Sequence, residues 1–184
     1  MKDVYEECPI YKKQLITLRQ TKQEDVKELL ECYSDESSVR FINADNCNGD
    51  DFHYTTIERM KQAIDFWEFS YKNRYFVRWT VILNTTEERI GTIEMFHRVA
   101  EDEFNHYGLL RIDLKSNQEK QGLIEEILEI VNENFYKAFE VKSILTKAIP
   151  EAIERINALT QSGYQVVNRK VMTYDDYFVR QEDN

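Results

Sequence analysis

An alternation of strands and helices in the last third of the chain constrains its fold more than any other feature of the sequence. The predicted elements are, in chain order, the strand Leu109–Leu114, the polar turn Lys115–Gly122, the amphipathic helix Leu123–Phe139, the strand Val141–Thr146 and a helix over about Glu151–Gln161. Two strands joined by a helix lie parallel and are connected with a right-handed crossover. Because helices between sheet strands must cover the sheet, this order predicts a layered α/β fold and not a β-sandwich.

The preceding residues predict a helical region followed by an antiparallel meander. A capping box at Thr21–Glu24 predicts the start of the first helix, and Asn43–Asp51 is rich in residues that favour turns. The second helix is predicted over Thr56–Tyr71, with apolar positions at Ile57, Met60, Ile64, Trp67 and Phe69. The predicted strands are Leu15–Arg19, Tyr75–Leu83, Arg89–Arg98 and His106–Leu114, with Gln165–Val167 and Lys170–Arg180 at the end of the chain.

Composition narrows the classes of function. The 184 residues fit one domain, 1–184. The formal net charge of -10 disfavours nucleic acid and has two interpretations, a solvated acidic surface that aids solubility and the attraction of a cationic partner such as an amine. Three cysteines without paired spacing indicate reduced thiols in a cytoplasm, and three histidines without clustering predict no metal site. No apolar run is long enough to span a bilayer, so no membrane partner is expected, and both a monomer and a homodimer stay open.

Several short segments, in order, resemble the GCN5-related N-acetyltransferases (the GNAT family), in particular the ribosomal-protein N-terminal and spermidine acetyltransferases. The segments are Leu18-Arg19, Glu24-Asp25, Leu29-Leu30, Ser34-Asp35, Val39-Arg40-Phe41, Thr56–Trp67, Arg89-Ile-Gly-Thr-Ile-Glu94 and Ala152–Tyr164. The similarity covers most of residues 14–167. It implies a three-layer fold, in which a twisted mixed sheet has helices on both faces and a parallel strand pair that splays at one end.

The resemblance also implies a binding site for acetyl-CoA. The pantetheine arm would pair with Ile112, Asp113 and Leu114, and the diphosphate would meet the residues of the following turn, Lys120, Gln121, Gly122 and Leu123. This turn lacks most of the glycines that the family uses, and Glu119 adds a negative charge beside it.

Two further positions depart from the family pattern, because Ala152 and Leu159 stand where relatives carry Asn and Tyr. Three functions therefore stay open. The first is transfer of an acetyl group from acetyl-CoA to a primary amine, either a small amine or a peptide N-terminus. The second is a non-catalytic module that has kept the fold and lost CoA binding, and the third is a protein that binds another small ligand in the same cleft.

Acetyl transfer to an amine needs a base, because the amine arrives protonated. Glu94 is the first candidate, and His97, which alternates onto the opposite face of the same predicted strand, is the second. His97 and His106 are expected to lie near one another across the hairpin. The aromatic residues of 66–79 are expected either to form core or to line an acceptor pocket.

Overall fold

The computed structural model describes residues 3–183, which form an eight-stranded mixed sheet with helices on both faces. The strands are β1 (Tyr11–Lys12), β2 (Ile16–Gln20), β3 (Val77–Leu83), β4 (Arg89–His97), β5 (Gly108–Leu114), β6 (Ser143–Lys147), β7 (Gln165–Val166) and β8 (Tyr177–Gln181). Their order across the sheet is β1-β2-β3-β4-β5-β6-β8-β7. Among these strands only β5 and β6 pair in parallel, as the strand–helix–strand order predicts.

Helices cover both faces of this sheet. They are α1 (Val26–Ser34), α2 (Glu36–Val39), α3 (Ile57–Lys72), α4 (Gln121–Ala138) and α5 (Ile153–Gln161). Side chains alternate between the two faces along each strand. In β3, Trp79 stacks on Phe135 of α4, with ring centroids 4.9 Å apart, whereas Arg78 lies over Trp67 of α3. The helices α4 and α1/α3 therefore pack against opposite faces.

The α4 face carries the largest apolar core. Alternate residues of β4 and β5, among them Ile93, Met95, Leu110 and Ile112, pack there against buried side chains of α4. The α1/α3 face has a separate apolar cluster and, between that cluster and the sheet, a set of buried polar side chains. The buried charged side chains of β3, β4 and β5 therefore lie on this second face.

The parallel pair opens towards the carboxyl ends of its strands. Gly108 pairs with Ile144 and Leu110 with Thr146, but the register stops there and Arg111–Leu114 continue without a β6 partner. The predicted splay is thus confirmed, and it leaves one edge of β5 uncovered by a neighbouring strand.

Gly91 fixes the geometry of β4 beside this opening. A Cβ atom at this position would lie 1.9 Å from the carbonyl oxygen of Asp113 on β5. The pairing of β3 with β4 is also irregular between Val81 and Ile82. Such an irregularity re-aims the following side chains, here Thr92 and Glu94, which lie on the α1/α3 face.

The start of the first helical region differs from the predicted capping box at Thr21–Glu24. Lys22 is the capping residue, and its backbone N–H donates to the Asp25 carboxylate at 3.0 Å. Arg19 pairs with both Asp25 and Glu24, but Asp25 is fully buried and also accepts from the Thr80 hydroxyl, whereas Glu24 is at the surface, so the box moves by one residue.

One predicted apolar position of α3 is wrong. Met60, Ile64 and Trp67 are buried as expected, but Phe69 is 53% exposed. Two residues correspond to a rotation of about 200° around a helix, so Phe69 cannot share a face with Trp67. Ser70, three residues after Trp67, is buried instead.

The predicted strand Lys170–Arg180 is wrong over its first half, because β8 begins at Tyr177. Met172 and Asp176 have φ angles of 59° and 67°, a left-handed backbone conformation that cannot continue a strand. A single bridge between Val171 and Tyr174 is the remaining pairing of this segment.

A membrane-spanning helix is absent from residues 3–183, where every helix is too short or too polar to cross a bilayer.

Candidate active site

A cavity of about 480 Å³ opens on the α3 face of the sheet, beside β4 and β5. The strands contribute Glu94 and Phe96 from β4 and Arg111 from β5, and α3 contributes Trp67. The loop after α2, including Cys47, lines another side. The cavity thus lies between β4, β5 and α3 on one side and the loop over residues 40–56 on the other.

Four charged side chains lie together next to the cavity. The Arg78 guanidinium donates to the Asp113 carboxylate at 2.8 Å and to the Thr92 hydroxyl at 2.8 Å. Its other nitrogen forms an ion pair with Glu94, and Arg111 binds the second oxygen of Glu94. Each of these four charged side chains is at least nine-tenths buried. A buried group of two cations and two anions is neutral overall, which makes its burial possible.

Tyr33 of α1 completes this network. Its hydroxyl donates to Asp113 at 2.7 Å and lies 2.8 Å from the Thr92 hydroxyl. Burial raises the pKa of Tyr33 well above its ordinary value, so the hydroxyl stays protonated and can donate. Arg78 is also held over the ring of Trp67, with its guanidinium carbon 4.2 Å from the centroid.

Of the two predicted bases, Glu94 is the one that lines the cavity. Burial raises the pKa of its carboxyl, but the charges of Arg78 and Arg111 outweigh burial and hold the pKa below its ordinary value. The carboxylate is therefore charged at neutral pH. Both of its oxygens are already bound by guanidiniums, so it accepts a proton poorly.

His97 lies away from Glu94. Its Nδ1 is 3.0 Å from the carbonyl oxygen of Phe139, so this nitrogen carries the hydrogen, and its Nε2 is 2.8 Å from Nδ1 of His106. The predicted proximity of the two histidines is confirmed. His97 lines a different opening, together with Asp3 and Arg74, so the structure does not bring the two candidate bases together.

The uncovered edge of β5 holds the residues predicted to meet a pantetheine arm. Ile112, Asp113 and Leu114 follow Leu110, the last β5 residue that pairs with β6. The side chains of Ile112 and Leu114 are buried in the α4 core, whereas Asp113 belongs to the polar network on the other face. The backbone along this edge is available for an added extended chain.

A loop segment crosses the end of the opening. The Asp45 carboxylate accepts from Lys147 of β6 at 2.7 Å and from the Tyr177 hydroxyl of β8 at 3.1 Å. The Asp45 carbonyl oxygen accepts from Arg111 of β5 at 3.1 Å. One residue of the loop therefore connects the two strands that diverge, at the border between the opening and the cavity.

Arg155 of α5 lies behind this segment and is 1% exposed. It donates to the carbonyl oxygen of Phe41 at 2.9 Å and forms an ion pair with Glu119, the residue two positions before α4. Arg155 thus ties α5 both to the loop after α2 and to the turn predicted to hold a diphosphate.

The N-terminus of α4 is engaged by carboxylates of the chain itself. Within the predicted diphosphate segment Lys120–Leu123, the Gln121 N–H donates to Glu154 at 2.8 Å. Glu119 lies beside it, and the ammonium of Lys115 is bound by two carboxylates. A helix N-terminus attracts an anion, and here the anion is a glutamate side chain.

One part of this region fits CoA and another does not. The uncovered edge of β5 fits the pantetheine arm, because its backbone has no β6 partner beyond Leu110. The α4 N-terminus does not fit a diphosphate as it stands, because the Glu154 carboxylate accepts from the Gln121 N–H and the nearby cation Arg155 is already paired with Glu119.

Sequence reasoning missed five residues of this region. They are Tyr33, Asp45, Arg78, Arg111 and Arg155. A usable signal existed for the two strand arginines, because each interrupts an otherwise apolar strand and charges are rarely buried without a partner. No comparable signal marks Asp45 or Arg155, whose partners are distant in sequence.

Comparison with known proteins gives the family. The profile of the acetyltransferase (GNAT) domain matches residues 16–165. A comparison with curated protein sequences gave no match. The ribosomal-protein-S5-alanine acetyltransferase from Vibrio fischeri has a similar structure, with a TM-score of 0.70, 14% identity and coverage of 96% of this chain and 98% of that chain.

Two structures with bound CoA are also similar. A ribosomal L7/L12 α-N-protein acetyltransferase in complex with CoA has a TM-score of 0.70 and 10% identity, over 94% of this chain and 98% of the other. AAC(6')-Ib in complex with ribostamycin and CoA has a TM-score of 0.66 and 17% identity, over 91% and 94%. With the match of the family profile over most of its length, the chain belongs to the GNAT acetyltransferase family.

Proposed function

We propose that this chain transfers an acetyl group from acetyl-CoA to a primary amine held in the cavity. One observation carries the proposal: Arg111 lies where β5 parts from β6, and the same residue lines the cavity. A thioester along the free edge of β5 and an amine in the cavity would meet there. Holding two reactants in contact can supply much of the acceleration of such a reaction.

The proposed roles follow from what each group can do. Acetyl-CoA, when bound, supplies a thioester carbonyl to which the amine nitrogen adds and from which the thiolate leaves. The free backbone of Ile112–Leu114 is the proposed binding edge, and backbone N–H groups there suit an oxyanion. Glu94 is proposed to hold Arg78 and Arg111 in place at the cavity wall, and its lowered pKa keeps it charged at neutral pH. The roles of Glu94 and His97 as bases stay predictions.

The related structures support an amine acceptor. Their names refer to alanine of a ribosomal protein, to an α-amino group of another ribosomal protein and to ribostamycin. Two of these structures contain CoA. Three cysteines without disulfide bonds, Cys8, Cys32 and Cys47, are in keeping with the proposed cytoplasmic location.

A second candidate function is favoured by the carboxylates at the α4 N-terminus. Glu154 accepts from the Gln121 N–H, and Glu119 is paired with Arg155, so both the helix N-terminus and a nearby cation are already neutralised. A GNAT-fold module that binds a ligand in the cavity, without CoA, would keep such contacts.

Thermal unfolding with CoA and with pantetheine separates the two candidates. Pantetheine carries the thiol arm but lacks the diphosphate, so it tests the β5 edge alone. An acetyltransferase is expected to bind both, and at about 100 times its Kd a ligand adds about 2.7 kcal/mol to the stability. For a chain of this size that corresponds to about 5–11 °C.

The variant Glu154→Gln tests the charge argument. Removing this negative charge beside the diphosphate is expected to increase CoA affinity about tenfold, with little change for pantetheine. Glu133→Gln, an exposed position near the other end of α4, is the matched control and should change neither. If neither CoA nor pantetheine binds the parent or any variant, the acetyltransferase proposal is wrong and the second candidate replaces it.

A further inference from the structure

Aromatic rings form a large part of the cavity wall. The lining includes Phe52, Tyr54, Trp67, Phe76 and Phe96. Aromatic rings offer apolar area to a ligand and attract a cation over their faces. This part of the cavity is therefore suited to a ligand with an apolar portion.

The lining carboxylates already have cationic partners. Asp50 accepts from the Arg59 guanidinium at 2.8 Å, and Glu94 is bound by Arg78 and Arg111. Arg98 also lines the cavity and is paired with Asp102. Although the whole chain is acidic, with a net charge of -10, the lining contains three arginines and two carboxylates. An ammonium group would meet no unpaired carboxylate in this lining, so a single ammonium depends on the faces of the aromatic rings and each further one would lack a partner.

One side of the cavity mouth is apolar and open to solvent, whereas Asn46 and Asn48 are exposed on another. Phe66, Tyr75 and Val99 all line the apolar side and are 56%, 59% and 76% exposed. The ring of Phe66 packs edge-on against Phe76 of the wall, with centroids 6.1 Å apart. An exposed apolar rim that continues a cavity marks a binding surface.

We infer that the acceptor is an amine with a single positive charge on an aromatic or extended apolar body. This inference rests on the proposed function and names its substrate class. The ammonium group lies over the rings of the wall, and the apolar body extends across the rim at Phe66 and Tyr75. A free arylalkylamine and a peptide that begins with an aromatic residue share this chemistry, whereas a polyamine does not.

Binding is measured by calorimetry without CoA, using phenethylamine, a peptide amide beginning with Phe, and spermidine. The first two are expected to bind at least tenfold more tightly than spermidine. Tighter binding of phenethylamine than of the peptide indicates a free amine as the source, and the reverse order indicates a peptide N-terminus. Equal or tighter binding of spermidine, or no binding of any probe, overturns the inference.

The variant Phe66→Ser tests the rim, with Ile153→Ser as its control. Both residues lie on helices and are similarly exposed, at 56% and 59%, but only Phe66 is among the lining residues. Phe66→Ser is expected to raise the Kd of phenethylamine about fivefold, because part of a ring contact is lost. Ile153→Ser should stay within twofold, and equal effects of the two variants contradict the proposed placement.

Acetyl transfer separates this inference from the function on which it rests. If phenethylamine binds but no probe is acetylated in the presence of acetyl-CoA, the proposed function is wrong and the specificity of the cavity stands. If spermidine is acetylated faster than both aromatic amines, the function stands and the inference is overturned.

Discussion

Replacing Glu94 with Gln tests the buried charge network most directly. Glu94 accepts from both Arg78 and Arg111, and its side chain is 2% exposed. A glutamine can accept from one of these guanidiniums, but its NH₂ group then faces the donors of the other. One arginine is left without its partner in a buried place.

The expected loss of stability in Glu94→Gln follows from the burial of this ion pair. Breaking a buried ion pair by removing one partner costs about 3–5 kcal/mol. We expect the lower end, about 3 kcal/mol, because Asp113 still accepts from Arg78 at 2.8 Å. For a chain of this size the loss corresponds to a fall in Tm of about 6–12 °C. Glu133→Gln removes an exposed carboxylate that binds Lys13 at 2.7 Å, and it should cost less than about 1 kcal/mol.

The pH dependence has a definite sign. The folded state lowers the pKa of Glu94 below its ordinary 4.5, so the carboxylate contributes stability above that pH. The contribution is lost as the pH falls through the folded-state pKa. The difference in Tm between the parent and Glu94→Gln is therefore expected to be full at pH 7 and to shrink in acid.

Thermal and urea unfolding of the parent, Glu94→Gln and Glu133→Gln, each between pH 7 and pH 3, provide the measurement. A Tm of Glu94→Gln within 2 °C of the parent at pH 7 would refute the reasoning, because a buried pair cannot be broken at so little cost. A difference that stays constant into acid would show that the carboxylate is not the group responsible.

Two further predictions concern stability. Gly91→Ala is expected to lower the free energy of unfolding by about 3 kcal/mol, because its Cβ would lie 1.9 Å from the Asp113 carbonyl oxygen. Gly122→Ala should raise the free energy of unfolding by about 0.5 kcal/mol, because Gly122 lies in a helix and an added Cβ would have no atom within 4 Å. Equal effects of the two alanine variants on urea unfolding would contradict this assignment. Tyr33→Phe is expected to cost about 1–2 kcal/mol, because its hydroxyl donates to the buried Asp113 carboxylate at 2.7 Å; a neutral result would mean that another donor replaces it.

Local patterns in the sequence determined the order of the elements. The segment from Leu109 to Thr146 predicts strand, helix and parallel strand because hydrophobic periodicity and chain connectivity are properties of neighbouring residues. Strand alternation likewise predicts that Glu94 and His97 face opposite sides, as the structure has them. Local patterns also predict the turn before α4, and the sequence shows the negative charge of Glu119 in that turn.

Only the tertiary structure decided which charges meet. Arg78, Glu94 and Arg111 come from three different strands, and the register of the sheet, including its irregularity at Gly91, brings them onto one face. Asp45 reaches Lys147, a residue 102 positions away. Such contacts depend on the closure of long loops and on burial, where an unpaired charge is costly, and neither quantity can be read from a local pattern.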